Sequence, residues 1–194
     1  VIRVVTPGTL TESSMLDDGE NNYICSIFYD EQAKSCAVAS ADVSTGKAAL
    51  SVFEGKDLEA GIINELSRCR PAEVIFPDSF LSLKNVADFI KVRLDCAVTM
   101  RDAECFDPSR KRTMAAAVFG AKNVAELGLS EDGADCAAVC GLFDYINDTQ
   151  KTSVSRFTSL EILGGDAFMG LDLNARRNLE LTETLRNKEK KGSL

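Results

Sequence analysis

No histidine occurs anywhere in the 194 residues, and that one absence removes a large part of enzyme chemistry. Ser-His and Cys-His nucleophilic catalysis both need an imidazole base beside the nucleophile, so both are excluded. No G-x-x-x-x-G-K-[ST] motif and no glycine-rich turn between a strand and a helix is present. The chain therefore carries no motif for cradling nucleotide phosphates. No apolar run approaches the roughly 18 residues that signal a membrane span, and no signal-peptide pattern is visible. Basic charge is also short: 22 Lys and Arg stand against 30 Asp and Glu, a net charge of −8, with no basic stripe in the body of the chain. Nucleic-acid affinity rests largely on neutralised phosphates, so this segment is expected to be a poor autonomous DNA binder. There is no internal repeat and no low-complexity stretch.

Cysteine is present but in an odd number, seven, scattered through apolar segments. Cys25 and Cys36 fall in expected strands, and Cys136 and Cys140 are one helical turn apart among alanines. Two thiolates at that spacing supply half a zinc site, and no second pair completes it. The expectation is reduced, buried thiols acting as small hydrophobes in a cytoplasmic protein. The chain starts on Val1 and stops at Gly192-Ser193-Leu194, where a helix could begin, so it reads as a piece of something longer.

What is there begins with three short strands, Tyr23–Tyr29, Cys36–Val43 and Lys47–Phe53. They are rich in β-branched, aromatic and small apolar residues and are separated by polar and glycine-containing hairpin loops. Tyr23, Cys25, Ile27 and Tyr29 share one face, and Ile24 and Phe28 the other. A sheet apolar on both faces must be covered on both, so helices are expected. Asp57 is placed to cap the first, with Leu58, Ile62, Leu66 and Cys69 on one stripe and Pro71 ending it. Strand Glu73–Phe76 follows, then a helix carrying Phe80, Leu83, Ala87, Ile90 and Leu94, then strand Ala97–Thr99. Ser109 is a candidate cap for a helix running to Gly120, with Met114 and Val118 inward.

Before these elements, Val1–Val5 is β-like, Thr6-Pro7-Gly8-Thr9 is a turn, and Leu10–Asn22 is an acidic linker. After them, composition shifts over Ala125–Gly133. A helix from Asp135 to about Gln150 carries Cys136, Val139, Cys140, Phe143 and Ile146. Lys151–Gly165 reads as irregular or weakly extended. A final helix spans about Ala175 to Asn187, with Leu181 and Leu185 on one face. Val139, Phe143, Leu181 and Leu185 are expected to pack on helices outside this chain, leaving the part after Gly133 less ordered.

The order β-β-β-α-β-α-β-α is that of a ribonuclease H-like domain. Nucleases of that fold hold two metal ions with carboxylates from the first strand, the first helix and the end of the fourth strand. Asp30, Glu65 and Asp78 occupy those places. The centre of the first strand, Ile24 to Phe28, carries no acid, however, and Asp30 suits a hairpin turn. Asp42 to Lys47 offers a second alternative, a hairpin whose backbone N–H groups cradle a phosphate, against the simpler β-turn.

Several pieces in sequence order resemble the bacterial MutS family of DNA mismatch recognition proteins. Thr6-Pro7-Gly8-Thr9 with its acidic linker is similar to the exit from that family's mismatch-binding domain. Asn22-Tyr23-Ile24, Asp42 to Gly46 and Arg70-Pro71-Ala72-Glu73-Val74 resemble its connector domain. Tyr145 to Gln150 resembles the opening helix of its lever domain. Leu171-Asp172, Arg177 to Leu181 and Lys191 to Leu194 are similar to lever segments further on. The resemblance implies an α/β fold: a ribonuclease H-like βββαβαβα connector domain over 20–128, preceded by an exit strand and linker over 1–19. The N-terminal part of a helical lever would follow over 129–194. The family's Phe-x-Glu mismatch wedge and its P-loop ATPase have no counterpart here, so the resemblance implies a non-catalytic relay. ATP and Mg²⁺ would belong only to the full-length parent. The implied partners are the parent's other domains, MutL through a docking surface on the connector, and mismatched DNA through the full-length dimer. The alternative is a divergent nuclease using Asp30, Glu65 and Asp78 with Mg²⁺ or Mn²⁺.

Overall fold

The computed structural model describes residues 6–9, 22–150 and 157–163. Its centre is a six-stranded sheet in the order β5-β4-β1-β2-β3-β6. Strands β1 (Tyr23–Asp30), β2 (Ser35–Asp42) and β3 (Lys47–Glu54) form an antiparallel meander. Strands β4 (Glu73–Phe76) and β5 (Ala97–Met100) extend it beside β1 in parallel. The crossovers are helices α1 (Leu58–Cys69) and α2 (Lys84–Arg93).

The two-faced apolar pattern produces two cores, one on each side of the sheet. Cys25, Ile27, Cys36 and Val38 meet Leu58, Ile62 and Leu66 of α1 and Val86 and Ile90 of α2. Ile24, Ala37, Ala39, Ala41 and Leu50 meet the other pair of helices, α3 (Pro108–Val118) and α4 (Ala134–Gln150). Side chains alternate across a strand, so β2 alone supplies Cys and Val to one layer and a row of alanines to the other.

Three helix starts differ from the sequence expectation. Asp57 makes no capping bond to α1. At α3 the cap is Asp107, whose Oδ1 accepts from the Ser109 backbone N–H at 2.9 Å and the Ser109 hydroxyl at 2.7 Å. Pro108 takes the first helical position, where a missing N–H costs nothing. The segment read as the start of α2 is a separate 3-10 turn, Asp78–Ser82, in which the Ser82 hydroxyl donates to the Ser79 carbonyl at 2.8 Å. Such a local bond competes with helix continuation, and α2 begins only at Lys84.

The boundary expected at 128/129 falls just before α4. Helix α4 packs on the same sheet as α3. Val139, Cys140, Leu142, Phe143 and Ile146 are all fully buried in the same core as β1 and β2. The chain then adds β6 (Ser159–Leu163), parallel to β3 with Lys47 opposite Ser159 and Ser51 opposite Leu163. Most of α4 is buried on every side because it lies between the sheet, α3 and the turn Ala103–Phe106. A helix apolar all round is a central one, and Val139 and Phe143 find their partners within this chain. The expected final helix, with Leu181 and Leu185, lies outside the described residues, as does Val1–Val5.

The Phe143 ring packs edge-on against Phe119 at 5.1 Å and Phe157 at 5.0 Å between centroids, joining α4 to the segment leading into β6. Phe143→Ala should therefore lower unfolding free energy by about 3–5 kcal/mol, read by urea denaturation. The Ser109 hydroxyl and amide hold the Asp107 carboxyl below its ordinary value. The cap is therefore intact above the normal aspartate range and lost as pH falls through the depressed value. Amide exchange at Ser109, corrected for intrinsic rates, should rise only below pH 3.8.

Candidate functional site

Of the three acids nominated for metal binding, two are bonded to other groups and the third stands on the surface. Asp30 ends β1, and its Oδ1 accepts from the N–H groups of Gln32 at 2.9 Å and Ala33 at 3.1 Å, closing the first hairpin. Glu65 on α1 forms a two-point pair with Arg68, at 2.9 Å from Nε and 2.6 Å from the terminal nitrogen. Asp78 is exposed on the turn after β4. Among the described residues no three His, Cys, Asp or Glu side chains gather as a ligand set. At the middle of β1 stands Ser26, fully buried, its hydroxyl without a hydrogen-bond partner among the described residues.

The Asp42–Lys47 hairpin is equally self-contained. Asp42 Oδ1 accepts from the Ser44 N–H and hydroxyl and from the Thr45 N–H, and Gly46 N–H donates to the Asp42 carbonyl. Gly46 sits at φ 69°, which a glycine adopts freely. The N–H groups that a phosphate would need are already bonded to a carboxyl group. Beside this hairpin lies an open cavity of about 530 Å³ bordered by Tyr23, Ser40, Lys47, Arg68 and Glu161. Its cations and its acid oppose one another.

The cysteines follow the small-hydrophobe expectation at five positions; Cys96 and Cys105 are only half-buried. Cys25 and Cys69 touch at 3.5 Å between sulfurs and Cys136 and Cys140 at 3.9 Å. The hydrogen bond with Cys69, and then burial, push the Cys25 thiol up. Burial alone pushes Cys36 up. Thiols so shifted are poor nucleophiles.

The most unusual acid in the domain is one the sequence reading passed over as the first residue of a strand. Glu73 opens β4 and is 1 % exposed. Its carboxyl group accepts three hydrogen bonds, each from a different element. Gly8 N–H, in the N-terminal turn Pro7–Thr9, donates to Oε2 at 3.3 Å. The Tyr145 hydroxyl on α4 donates to Oε1, as does the Thr99 hydroxyl on β5 at 3.3 Å. A buried carboxyl group is tolerable only when its oxygens are satisfied this way. Burial and this bond push the Tyr145 phenol up. The available sequence signal was a Glu heading the otherwise apolar run Val74-Ile75-Phe76 immediately after Pro71-Ala72.

A second network surrounds α4 further along the same face. Asp144 is 8 % exposed and is paired with both Arg101 and Lys111, while Arg101 also reaches Asp148 and lies over the Tyr145 ring at 5.5 Å. Glu73 and Asp144 thus join elements of the domain to one another.

The structure defines a mixed α/β domain with helices on both faces of a six-stranded sheet, and the comparisons identify the family it falls in. Residues 22–158 match the family model described as MutS domain II, a span that includes α4. The DNA mismatch repair protein MutS of Clostridium perfringens is 38 % identical over 195 residues, covering all of this chain and 20 % of that protein. Those of Clostridium novyi and Alkaliphilus oremlandii are 34 % and 33 % identical, again over the whole chain and 20 % and 22 % of their own lengths. The chain belongs to the MutS family. It spans about a fifth of the length of these relatives.

Gly8 has no room for a side chain: an added Cβ would lie 2.3 Å from Ile24 Cγ1 and 3.1 Å from Glu73 Cβ. Ile24 is fully buried and cannot retreat. Gly8→Ala should lift the turn off the sheet at a cost of about 1–3 kcal/mol. Thermal unfolding of the pair, with loss of slow exchange at the residue 8 amide, checks this.

Proposed function

We propose that this chain is the connector of a MutS-type mismatch repair protein: a ribonuclease H-like, non-catalytic block that passes conformational change between mismatch recognition and ATP hydrolysis. Three observations support the reading. The strands β1 to β5 follow the ribonuclease H-like order with antiparallel β1-β2-β3 and parallel β4 and β5. The MutS domain II match covers 22–158. Most directly, the acids at the nuclease positions are bound to backbone amides or to arginine, or stand alone on the surface.

In this reading residues 1–19 lead in from the mismatch-binding domain. The connector continues through β6, and the lever begins after Leu163 instead of at 129. ATP and Mg²⁺ are ligands of the parent's ATPase, mismatched DNA is held by the parent dimer, MutL docks on the connector, and the parent works in the cytoplasm. A packed block with few internal degrees of freedom suits rigid-body transmission.

The chain by itself should cleave no nicked, branched or RNA–DNA hybrid substrate in Mn²⁺, hydrolyse no ATP and bind mismatched and matched duplexes equally weakly. Mn²⁺-dependent cleavage that disappears in Asp30→Asn would install the nuclease reading instead. In the full-length parent, replacing residues 20–163 by a flexible linker should leave basal ATP hydrolysis in place and abolish its control by a mismatch, together with MutL recruitment.

A further inference from the structure

The turn before β1 and the C-terminal end of α4 meet at a single point beside β4. The turn Thr6–Thr9 is rigid in its own right: Thr6 N–H donates to Thr9 Oγ1 at 2.9 Å and Thr9 N–H to the Thr6 carbonyl at 3.0 Å. Asn22, immediately before β1, fastens it with an Nδ2 bond to the Pro7 carbonyl at 2.7 Å. Two other groups then hold the turn at adjacent residues. Glu73 accepts the Gly8 N–H, and Gln150 at the end of α4 donates its side-chain amide to the Thr9 carbonyl at 3.0 Å. Glu73 and α4 are themselves joined through Tyr145.

We propose that Glu73 is a clasp that makes the turn 6–9 and the C-terminal end of α4 move as one body. Its bearing on communication between domains rests on the relay reading above; the clasp itself does not. The circuit runs Gly8, Glu73, Tyr145, Gln150, Thr9 and closes on itself. The turn cannot shift without breaking bonds to both β4 and α4, and the last turns of α4 cannot shift without breaking bonds to both β4 and the turn. A buried acid is a costly way to fill space where an apolar side chain would pack. What it adds is direction, since three donors from three elements must meet at two oxygens. Gly8 lies too close to Ile24 and Glu73 for the turn to settle deeper. Glu73 is thus a positioning residue held by β4, the strand between β1 and β5.

The test is nuclear magnetic resonance on the 194-residue chain, reading two probes: hydrogen exchange at the Gly8 amide and the order parameter of the Gln150 side-chain amide. Glu73→Met should speed Gly8 exchange about tenfold or more and drop the Gln150 order parameter below about 0.6. Glu73→Gln should keep both near wild type, because its carbonyl oxygen can accept from Gly8 while its NH₂ donates to the hydroxyl oxygens of Tyr145 and Thr99. Gln150→Ala, which removes no group bonded to Gly8 N–H, should also speed Gly8 exchange. Amides pairing β2 with β3 should stay unchanged throughout. If Glu73→Met does not fold, Tyr145→Phe, which deletes one hydroxyl and keeps the ring, is read by the same two probes with the same expectation. Gly8 responding at Glu73 but not at Gln150 would overturn the clasp, as would Glu73→Gln proving as damaging as Glu73→Met. A clasp upheld by exchange, in a parent whose mismatch-controlled ATP turnover ignores Glu73→Met and Gln150→Ala alike, would retire the relay and leave the clasp standing.

Discussion

The distance at which α4 can lie on the sheet governs the rest of this domain. Ala37, Ala39 and Ala41 form a row of single methyl groups along β2, with Ala48 beside them on β3, all on the face that α4 crosses. Small side chains let helix and sheet backbones approach closely, and the helix contributes Ala138 and Cys140 to the same core; its Gly141 faces the turn Ala103–Phe106 instead. Gly141 is so near the Phe106 ring that a methyl group there would stand 2.3 Å from it. Close approach brings dense dispersion contacts and leaves no gap for water. It also brings Tyr145 within reach of Glu73 and Phe143 within reach of Phe157. The opposite face, with Val38, Ile27 and Cys36 under α1, uses larger side chains and more conventional packing.

Given that geometry, the polar chemistry of the domain is spent inward. Asp30 and Asp42 organise hairpins, Asp107 starts a helix, Asp144 ties α4 to Arg101 and Lys111, and Glu73 gathers three donors. Exposed acids can exchange such bonds with water at little net gain. Glu73 and Asp144 cannot, because losing a partner would strand a desolvated oxygen. These two are therefore the joints at which displacement of one element is felt by its neighbours. That property suits a part placed between moving domains better than it suits a centre for making or breaking bonds.

Much of this was legible in the sequence because it obeys simple periodicity. Alternation marked β1 to β3 within a residue or two, the i, i+4 stripe of Leu58, Ile62 and Leu66 marked α1, and Pro71 and Pro77 bracketed β4. What escaped did so for physical reasons. Strand β6 is an edge strand with exposed Ser159, Glu161 and Ile162, so its composition differs little from a loop. Helix α4 was recognised as a helix, but its packing partners on this sheet were not, because a largely apolar helix is central without its sequence saying to what. The Glu73 joint was invisible because its partners are 65, 26 and 72 residues away in sequence. Spacing rules see only neighbours. The surroundings of Asp30 and Glu65 were illegible for the complementary reason: position in the element order says nothing of the backbone amides on the one or the arginine on the other.

The parallel pairing of β3 with β6 joins residue 47 to residue 159, and this has a consequence for synthesis on the ribosome. The meander β1-β2-β3 emerges first and can pair at once through hairpins, yet its alanine face has no cover until α4 has been translated almost a hundred residues later. Contacts of such sequence separation form late and slowly. In the interval the nascent sheet shows one greasy side and a bare outer strand to its surroundings. Of everything in the domain, that half-built surface is where a trigger-type chaperone would be needed most.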